Sequence, residues 1–567
     1  MALVMIVACL ASCGNVDDPG NNPGNNPGNN PGGNPGEEEE VYYGWDETTL
    51  VYEMTDCSNN KELSSGCKRY LAGGKYSDFA EPLDDKINDR NDLAYEKTKV
   101  SVTYNILPDA AKYNWGQNMN RIHTQVYSYD DNSPDIYCNF VYDMVACSLE
   151  KCFANLYSKS RGEGELQGAN YFAFADGNYE DDGKGYMYEY MTTLTLSKSK
   201  MYCLSSDYFT DMVRAFFVVP VNNAALESIQ VAAPGVKGQY NSDRTGDGMF
   251  DIKDFYQLVW DGDWTYATLA AFAGAYGQNG DTNDSIDLRD RICFAISATS
   301  GLSASGMLYT TSITIINRDP DASSYNLFNY SYPEPDSEDA NALYTYCENL
   351  KTLFQTPFVI AVSTGEEYGY GTDSLQAIRT RFADDNNPIL FGGVICVGSL
   401  EYEEYQKLNG ADKKGFGIVP VPLYKSGDTY QTQIHNIGRI GAISATTTKF
   451  AQCSAFLNYL SLNSTKILND YYTVYLQYDQ AGGADDNIEM LNYIRGNVGS
   501  GFERAFEDAI GKFFQATDTD SSEDKWHIMI MRAKFQMTNM RSEYERVYEK
   551  KAGKLTKLEE EYEGLPD

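Results

Sequence analysis

The sequence predicts an α/β fold with at least two domains, and three observations lead to that prediction. A strand pattern, a helix pattern and a second strand pattern follow one another between residues 99 and 143, which is typical of a βαβ unit in a parallel sheet. Further strand-like runs alternate with helical stretches over most of the chain. The folded part, from about residue 41 to residue 567, is too long for one ordinary hydrophobic core.

The βαβ unit is predicted from the spacing of its apolar residues. The stretch KVSVTYNIL, which begins at Lys99, alternates apolar and polar residues as a strand does. The next stretch places apolar side chains at steps of four and three, as an amphipathic helix does: Ala111, Trp115, Met119, Ile122 and Val126. A second strand follows Pro134. Because ligands bind beyond the carboxyl ends of parallel strands, Asn139, Tyr142 and Asp143 are candidate ligand-binding residues.

Elements farther along the chain follow from the same patterns. Gly262 is expected to end one helix and Thr265 to cap the next. Near the C-terminus, a one-sided apolar stripe from Trp526 to Val547 predicts a long helix, and the charged residues after it predict a solvated or frayed extension. Four later runs are typical of strands: Ala215–Val221, Phe358–Ser363, Val394–Val397 and Gly417–Val421.

The N-terminus predicts export and a lipid anchor. Residues Met1 to Ala11 are apolar, a run too short for a membrane span of about 20 residues and typical of a secretory signal. The following Cys13 completes a stretch that resembles a bacterial lipobox, so residues 1–12 are predicted to be cleaved and Cys13 to carry lipid. The alternative is an ordinary signal peptide in which this cysteine stands by chance. The Pro-Gly-Asn repeat and four Glu within residues 13–40 predict a disordered tether. We therefore expect an extracytoplasmic protein anchored to the bacterial cell membrane.

Composition excludes several classes of function. A net charge of −36 argues against binding to nucleic acid. The sequence has no HExxH, P-loop, GxSxG or GxGxxG motif, so a zinc hydrolase or a serine hydrolase is not expected. A glycoside hydrolase needs only two carboxylates and remains the enzyme alternative. Export permits disulfides, and Cys57 with Cys67 is a candidate pair.

One stretch has the ligand spacing of an EF-hand calcium loop. Oxygen ligands are needed at positions 1, 3, 5, 7, 9 and 12, with Gly at position 6. The chain supplies Gly248 at position 6, and its ligand positions are Asp243, Thr245, Asp247, the Met249 carbonyl, Asp251 and Asp254. This pattern predicts a structural calcium site as the cofactor. An acidic turn without metal is the equal alternative, and a regulatory calcium switch is a third.

Six stretches stand in a characteristic order along the chain: Asp135–Ser158, Lys200–Ser228, Asp254–Ala273, Leu390–Gln406, Gly415–Asp428 and Gly441–Ser461. Together they resemble the extracellular solute-binding proteins of ABC importers, the sugar-binding family 1 type. The order and spacing of the stretches carry the resemblance more than any single stretch. The chain is long for that family, and its insertion Ile229–Met249 holds the start of the calcium-like loop.

The resemblance implies a two-lobe, periplasmic-binding-protein-like fold of type II with hinge-crossing strands. The implied lobes are residues 41–215 with 440–475, and 216–439 with 476–567. The implied crossings lie near residues 216–221, 440–444 and 469–487. A carbohydrate, expected to be an oligosaccharide, would bind in the cleft between the lobes of a monomer, and an ABC permease in the membrane would be the partner.

Four further residues are candidates for the ligand cleft. Tyr309 lies in a polar stretch, and Glu401 with Tyr402 follows a predicted strand. Trp115 could stack on a sugar ring, although its place in the helical stripe favours the core, and Trp264 is expected to pack at a helix entry. No catalytic residue is assigned. The alternatives to an import receptor are a surface glycan-binding protein without a transport role and a carboxylate-dependent glycoside hydrolase.

Overall fold

Two systems of β-strands carry the fold, which confirms the predicted α/β class. The computed structural model describes residues 43–55, 67–73, 83–107, 117–128, 130, 133–175, 185–232, 239–280, 283, 285–297, 306–308, 310–313, 315–319, 327–362, 365, 373–410, 412–435, 438–474, 476, 484–510 and 539–566. The strands in these residues are β1 (Thr48–Thr55), β2 (Val100–Leu107), β3 (Ile136–Phe140), β4 (Phe217–Asn222), β5 (Phe294–Ser297), β6 (Asn317–Asp319), β7 (Asn329–Ser331), β8 (Val359–Val362), β9 (Ile395–Cys396), β10 (Phe416–Val419) and β11 (Arg439–Ile443).

The helices in the described residues lie between and after these strands. They are α1 (Asp84–Thr98), α2 (Met119–Tyr127), α3 (Val141–Leu149), α4 (Tyr188–Thr193), α5 (Thr210–Arg214), α6 (Asn223–Glu227), α7 (Ile252–Trp260), α8 (Tyr266–Tyr276), α9 (Glu338–Gln355), α10 (Ser374–Phe382), α11 (Glu403–Gln406), α12 (Phe450–Leu462), α13 (Thr465–Val474), α14 (Ala484–Gly496), α15 (Phe502–Ala505), α16 (Glu507–Ile510) and α17 (Met540–Glu563). A π-helix (Cys67–Ala72) and short 3₁₀ turns, among them Val397–Glu401, complete the set. No helix of this part of the chain is both long and apolar enough to cross a membrane.

The first sheet contains the predicted βαβ unit. Its strand order is β11-β3-β1-β2, with β1 parallel to both β2 and β3 and with β11 antiparallel to β3. Strands β2 and β3 therefore do not pair with each other, because β1 lies between them. The buried strand β3 packs its residues into the core, and α2 covers the sheet with Ile122 and Val126. We call this sheet with its helices the first lobe.

Two smaller sheets form the second lobe. One has the order β10-β4-β9 and is antiparallel, and the other pairs β5 with β8 in parallel. Phe391 forms bridges to both Val221 of β4 and Phe294 of β5, which joins the two sheets. Trp264 is fully buried against Phe255 and Phe391 and donates its indole N–H to the Pro420 carbonyl. Its expected place in the core is confirmed.

Two helices of the second lobe begin at side-chain caps, and the cap at Thr265 was predicted from the sequence. Asn222 caps α6 by accepting a hydrogen bond from the Ala225 amide at 3.0 Å, and Thr265 caps α8 by accepting one from the Thr268 amide at 3.2 Å. Helix α7 ends at Trp260, and Gly262 follows with a φ of 76°. Such a φ favours glycine, which is why the chain can turn sharply here.

The lobes are joined by antiparallel segments that run between them. The Phe217 amide donates to the Gln433 carbonyl at 3.0 Å, and the His435 amide donates to the Ala215 carbonyl at 2.9 Å. From Gly438 the chain enters β11 of the first lobe. The second crossing therefore precedes the predicted 440–444, which lies inside the first sheet, because β11 pairs with β3 from Arg439 onward.

The C-terminal helix α17 corrects one expectation. Its charged half was predicted to be solvated or frayed, but Leu555, Leu558 and Tyr562 are buried. The helix packs on β7 and α9, and its end reaches the first lobe, where the Tyr562 and Thr195 hydroxyls lie 2.7 Å apart. The apolar residues within the charged sequence thus give α17 a second buried face.

Several sequence predictions lie outside the described residues. They are the signal peptide 1–12, Cys13, the tether 13–40, Cys57, Trp115 and Tyr309. The same holds for most of the stripe from Trp526, of which the structure describes the part from residue 539 onward. The cysteines recorded as free thiols in the described part are all buried: Cys138, Cys147, Cys152, Cys203, Cys293, Cys347, Cys396 and Cys453.

Candidate ligand-binding cleft

A cavity of about 570 Å³ lies where both lobes meet the segments that join them. Helix α4, which precedes the first crossing in the chain, forms one part of the wall. Another part comes from residues 311–313 and 316–319 and from Tyr330, which include residues of both strands of the antiparallel pair β6-β7 and lie between the two crossings in the chain. The approach to the crossing contributes residues 431 and 433, and the chain after α14 contributes residues 498–503. A cavity of this size between lobes is typical of a small-molecule site.

Hydrogen-bonding side chains line most of this cavity. The carboxamides of Gln431, Gln433 and Asn317 and the hydroxyls of Thr192 and Ser312 are part of its wall. The backbone fixes two of these positions, since the Gln431 amide donates to the Thr310 carbonyl and the Gln433 carbonyl accepts from Phe217. The Gln433 carboxamide donates to the Ser500 carbonyl at 2.7 Å and accepts from the Ile434 amide at 2.9 Å, so it braces the wall. The carboxamides of Gln431 and Asn317 therefore offer the donors and acceptors, on a framework that backbone bonds hold in place.

An aromatic pair forms one side of the cavity. The rings of Tyr330 and Phe502 stack with centroids 4.0 Å apart, and both residues line the cavity. The Tyr330 hydroxyl donates to the Thr195 carbonyl at 3.1 Å, and its amide donates to Glu559 of α17 at 3.1 Å. These bonds fix Tyr330 between the first lobe and the C-terminal helix. Because Tyr330 is 4 % and Phe502 1 % exposed, the pair supports the wall from behind and presents no open aromatic face.

Glu503 is the buried carboxyl group of the cavity wall. Its side chain is on α15, and the residue is 7 % exposed. Burial raises the pKa of this carboxyl group to about 7, and hydrogen bonds from the backbone and from Ser500 offset only part of that effect. The Ser500 hydroxyl is a distant donor at 3.4 Å. No ion pair of Glu503 exists within the described residues.

A second cavity of about 200 Å³ shares Glu189 and Val498 with the first. Tyr186, Tyr190 and Asn492 are among the residues of its wall. Because the two cavities share two wall residues, they are adjacent. We call the two cavities together the groove.

A buried network of charges lies at the junction of the lobes. Arg214, which immediately precedes the first crossing, donates to both oxygens of Glu401 at 2.8 and 3.1 Å and to Asp211 at 2.6 Å. Arg439 donates to the other Asp211 oxygen at 2.9 Å, and the Tyr471 hydroxyl donates to Glu401 at 2.9 Å. Burial lowers the pKa of Arg214, but the carboxylates of Glu401 and Asp211 outweigh it and hold that pKa well above its usual value.

The predicted residues at the end of β3 lie together but do not line the cavity. Asn139 accepts a hydrogen bond from the Thr55 hydroxyl at 2.9 Å, and Asp143 accepts one from the Asn118 carboxamide at 3.0 Å. Both side chains are buried, as is Tyr142. The sheet thus brings these polar groups to the predicted edge, where Asn139 bonds to Thr55 and Asp143 bonds to Asn118.

Glu401 and Tyr402 are also committed to protein contacts. Glu401 belongs to the charge network described above, and the Tyr402 ring lies 3.9 Å from the Arg379 guanidinium carbon. Neither residue lines the two cavities. Their predicted position after strand β9 is correct, and their side chains serve the junction of the lobes.

The calcium-like loop brings three of its carboxylates together. Oxygens of Asp243, Asp247 and Asp254 lie within 4.8 Å of one another. The buried Asp254 accepts amide hydrogen bonds from Arg244 at 2.7 Å and from Thr245 at 2.8 Å. Gly248 has a φ of 87°, as the sixth position of such a loop requires.

The remaining loop positions have local roles. Asp251 caps α7 in a capping box with Asp254 and so lies outside the carboxylate group. Met249 is exposed. Amides of Gly248 and Gly246 hold the pKa of Asp243 below its usual value. Three converging carboxylates and the glycine turn match the chemistry of a hard cation with oxygen ligands.

Sequence reasoning missed the residues of the main cavity. Gln431 and Gln433 precede a crossing segment. Glu503 lies in a helix too short for a periodic sequence pattern to predict it. The cavity wall joins segments that are more than 300 residues apart, such as the Gly501 amide and the Thr193 hydroxyl. The alternation of polar residues before the crossing strand is the one signal that could have suggested Gln431 and Gln433.

No family model matches the chain, and no curated protein matches it in sequence. Solved structures match it at low identity. One is the sugar-binding protein MalE of Xanthomonas citri, which is 8% identical to this chain with a TM-score of 0.49. The match covers 91% of this chain and 100% of the MalE chain. Another is an extracellular solute-binding protein of Staphylococcus aureus in complex with maltose, which is 9% identical with a TM-score of 0.49. The match covers 90% of this chain and 98% of that protein.

A third similar structure is the galacto-N-biose- and lacto-N-biose I-binding protein of a Bifidobacterium longum ABC transporter, in complex with lacto-N-biose. It is 10% identical with a TM-score of 0.45, and the match covers 93% of this chain and 99% of that protein. These three proteins are binding proteins of the class that the sequence stretches resemble.

Proposed function

We propose that the protein is a cell-surface solute-binding lipoprotein that captures a carbohydrate, most simply an oligosaccharide, for ABC-type import. The observation that carries the proposal is the cavity of about 570 Å³ between the lobes, with carboxamides and hydroxyls on its wall beside the stacked rings of Tyr330 and Phe502. Sugar rings present hydroxyls at their edges and apolar C–H groups on their faces. The wall offers hydrogen-bonding partners for the hydroxyls, and the buried rings of Tyr330 and Phe502 make the layer behind it apolar.

The groove supports a ligand of more than one sugar unit. Glu189 and Val498 belong to both cavities, so a chain could occupy the two together. The order of the six family-like stretches supports a receptor role with an ABC permease as partner. Lipid on Cys13, a tether over residues 13–40 and a monomeric state complete the proposal.

Isothermal titration with a panel of neutral and charged oligosaccharides tests the binding function. A Gln431→Ala variant removes one cavity carboxamide and should weaken the binding of the best ligand about tenfold, the effect of one lost hydrogen bond of about 1.4 kcal/mol. The control is Gln257→Ala, because Gln257 is an exposed glutamine on α7. Absence of binding to every sugar of the panel would contradict the proposal.

Two alternatives give other outcomes in the same experiments. A surface glycan-binding protein without a transport role would bind sugar with no change in solution X-ray scattering, whereas a transport receptor is expected to close around its ligand. A glycoside hydrolase would release reducing ends steadily from one of the oligosaccharides. Labelling with palmitate in the wild type, and its loss in Cys13→Ser, tests the lipid anchor.

We infer, in addition, that the loop 243–254 binds calcium in a structural role. The convergence of Asp243, Asp247 and Asp254 supports this inference. Without a cation the three carboxylates repel one another at close range. A bound cation would remove that repulsion and fix the start of α7, which Asp251 and Asp254 already cap.

A further inference from the structure

The geometry of the cleft points to a ligand that carries a protonated amino group, as an amino sugar does, with Glu503 as the residue that selects it. This inference rests on the proposed function, because it names the chemistry of the ligand in the same cavity. A cleft of this kind should bind a sugar with an amine more tightly than the same sugar with a hydroxyl group at that position, and this preference can be measured.

The first step is the state of Glu503. The residue is 93 % buried, its carboxyl group belongs to the cavity wall, and the described residues provide it with no cation. Its one side-chain donor, the Ser500 hydroxyl, is 3.4 Å away. A buried carboxylate without a cation is costly, and a cation that arrives with the ligand removes that cost. A neutral hydroxyl donates a hydrogen bond but leaves the charge uncompensated.

The second step is the charge of the whole wall. Glu189 and Asp319 line the same cavity as Glu503, and Arg318 is the cationic residue of that lining. The Arg318 guanidinium lies 3.8 Å from the centre of the Phe328 ring and donates one N–H to the Thr192 carbonyl at 3.3 Å, while its buried Nε has no hydrogen-bond partner among the described residues. The lining therefore holds three carboxyl groups and one cation, and this excess of negative charge favours a positive ligand.

The third step is the aromatic side of the cavity. Tyr330 and Phe502 stack on each other beside Glu503, which lies on the same short helix as Phe502. The two rings are 4 % and 1 % exposed, so they back the wall as an apolar layer and present no open face. Apolar surroundings strengthen the attraction between a carboxylate and an ammonium group. The surroundings of Glu503 are thus suited to the ammonium group of an amino sugar.

The experiment compares sugars that differ at one substituent. Pairs with an amine or a hydroxyl group at the same carbon are titrated against the full chain: glucosamine and glucose, galactosamine and galactose, and the β-1,4-linked tetramers of glucosamine and of glucose. The N-acetylated glucosamine tetramer keeps the nitrogen but removes its charge. The amine member of at least one pair should bind about 10- to 100-fold more tightly than its hydroxyl and acetylated counterparts, the usual range for a charged hydrogen bond.

A variant then assigns the preference to Glu503. Glu503→Gln keeps the shape of the side chain and should reduce the amine preference to within about threefold, by loss of the charged hydrogen bond. Glu163→Gln removes one exposed carboxylate outside the cavity and should leave the preference unchanged. Circular dichroism verifies that both variants are folded.

The outcomes separate this inference from the proposed function. Tight binding of a neutral or acetylated sugar with no gain from the amine would overturn the inference and leave the carbohydrate-binding function intact. An amine preference that persists in Glu503→Gln would also overturn it, since another group would then select the ligand. Failure of every sugar, charged or neutral, would refute both.

Discussion

The charge network at the junction of the lobes gives the most demanding prediction. Glu401→Gln keeps the volume of the side chain but removes the negative charge that Arg214 contacts through two hydrogen bonds, at 2.8 and 3.1 Å. Of the carboxylates described around Arg214, Asp211 then remains, and Arg214 shares it with Arg439. Since these side chains are 4 %, 6 % and 0 % exposed, water does not replace the lost partner.

The expected loss in the free energy of unfolding depends on how many buried guanidinium groups lose a carboxylate partner. Loss of one partner from a buried ion pair costs about 3–5 kcal/mol, and Glu401→Gln should cost about 3 kcal/mol because Asp211 remains in place. Asp211→Asn affects both Arg214 and Arg439 and should cost about 5 kcal/mol or more. The double variant Arg214→Met/Glu401→Leu should recover part of the loss, since it leaves no unpaired charge from this pair.

Equilibrium unfolding in guanidinium chloride measures these free energies of unfolding. Glu348→Gln serves as the control, since Glu348 is 64 % exposed in its pair with Lys351 and should change stability by less than about 0.5 kcal/mol. The expected order of loss is Asp211→Asn, then Glu401→Gln, then the control. If Glu401→Gln unfolds with the same free energy as the wild type, or costs more than Asp211→Asn, the account of the network is wrong.

Three other perturbations have expected results. Glu503 has a pKa of about 7 in the folded protein against an ordinary value of about 4.5, so the folded state binds the proton more tightly than the unfolded state. The stability that this group contributes, on the order of 3 kcal/mol, is fully present below about pH 4.5 and is lost by about pH 7. Glu503→Gln should remove this pH dependence of stability in thermal unfolding. Millimolar calcium should raise the melting temperature more than the same concentration of magnesium does, because bound calcium adds up to about 2.7 kcal/mol of stability at a hundredfold excess over Kd. Asp247→Ala should abolish this rise. A wild-type melting temperature that calcium does not change would indicate an acidic turn. Tyr562→Phe removes a buried hydroxyl bonded to Thr195 and should cost about 1 kcal/mol in chemical unfolding, and no loss would mean that the end of α17 does not hold the first lobe.

The elements that could be predicted are those with local signals. The spacing of apolar residues identified β2, α2 and β3, and the cap at Thr265 was evident from a single residue. Strand β1 was missed, although it is the central partner of β2 and β3. Its pairing is visible only when the sheet is assembled, because its partners β2 and β3 lie farther along the chain.

The candidate site was less predictable for a related reason. Glu401 was correctly placed after a strand, but its partner Arg214 is 187 residues away, and no pattern within either segment shows that the two meet. Asn139 and Asp143 reach the predicted edge of the sheet and then bond to Thr55 and Asn118. Periodicity indicates which side chains are buried, whereas the choice between a ligand and a protein partner depends on contacts distant in sequence.

The position of α17 has a consequence for the order in which the chain folds. Tyr562 bonds to a residue 367 positions earlier, and Glu559 holds the amide of Tyr330 in the cavity wall. The wall is therefore incomplete until α17 has reached its place. Contacts between such distant segments form slowly, so the cavity is completed late in folding. A chain truncated before α17 would lack the support of Tyr330 and would be exposed to proteolysis.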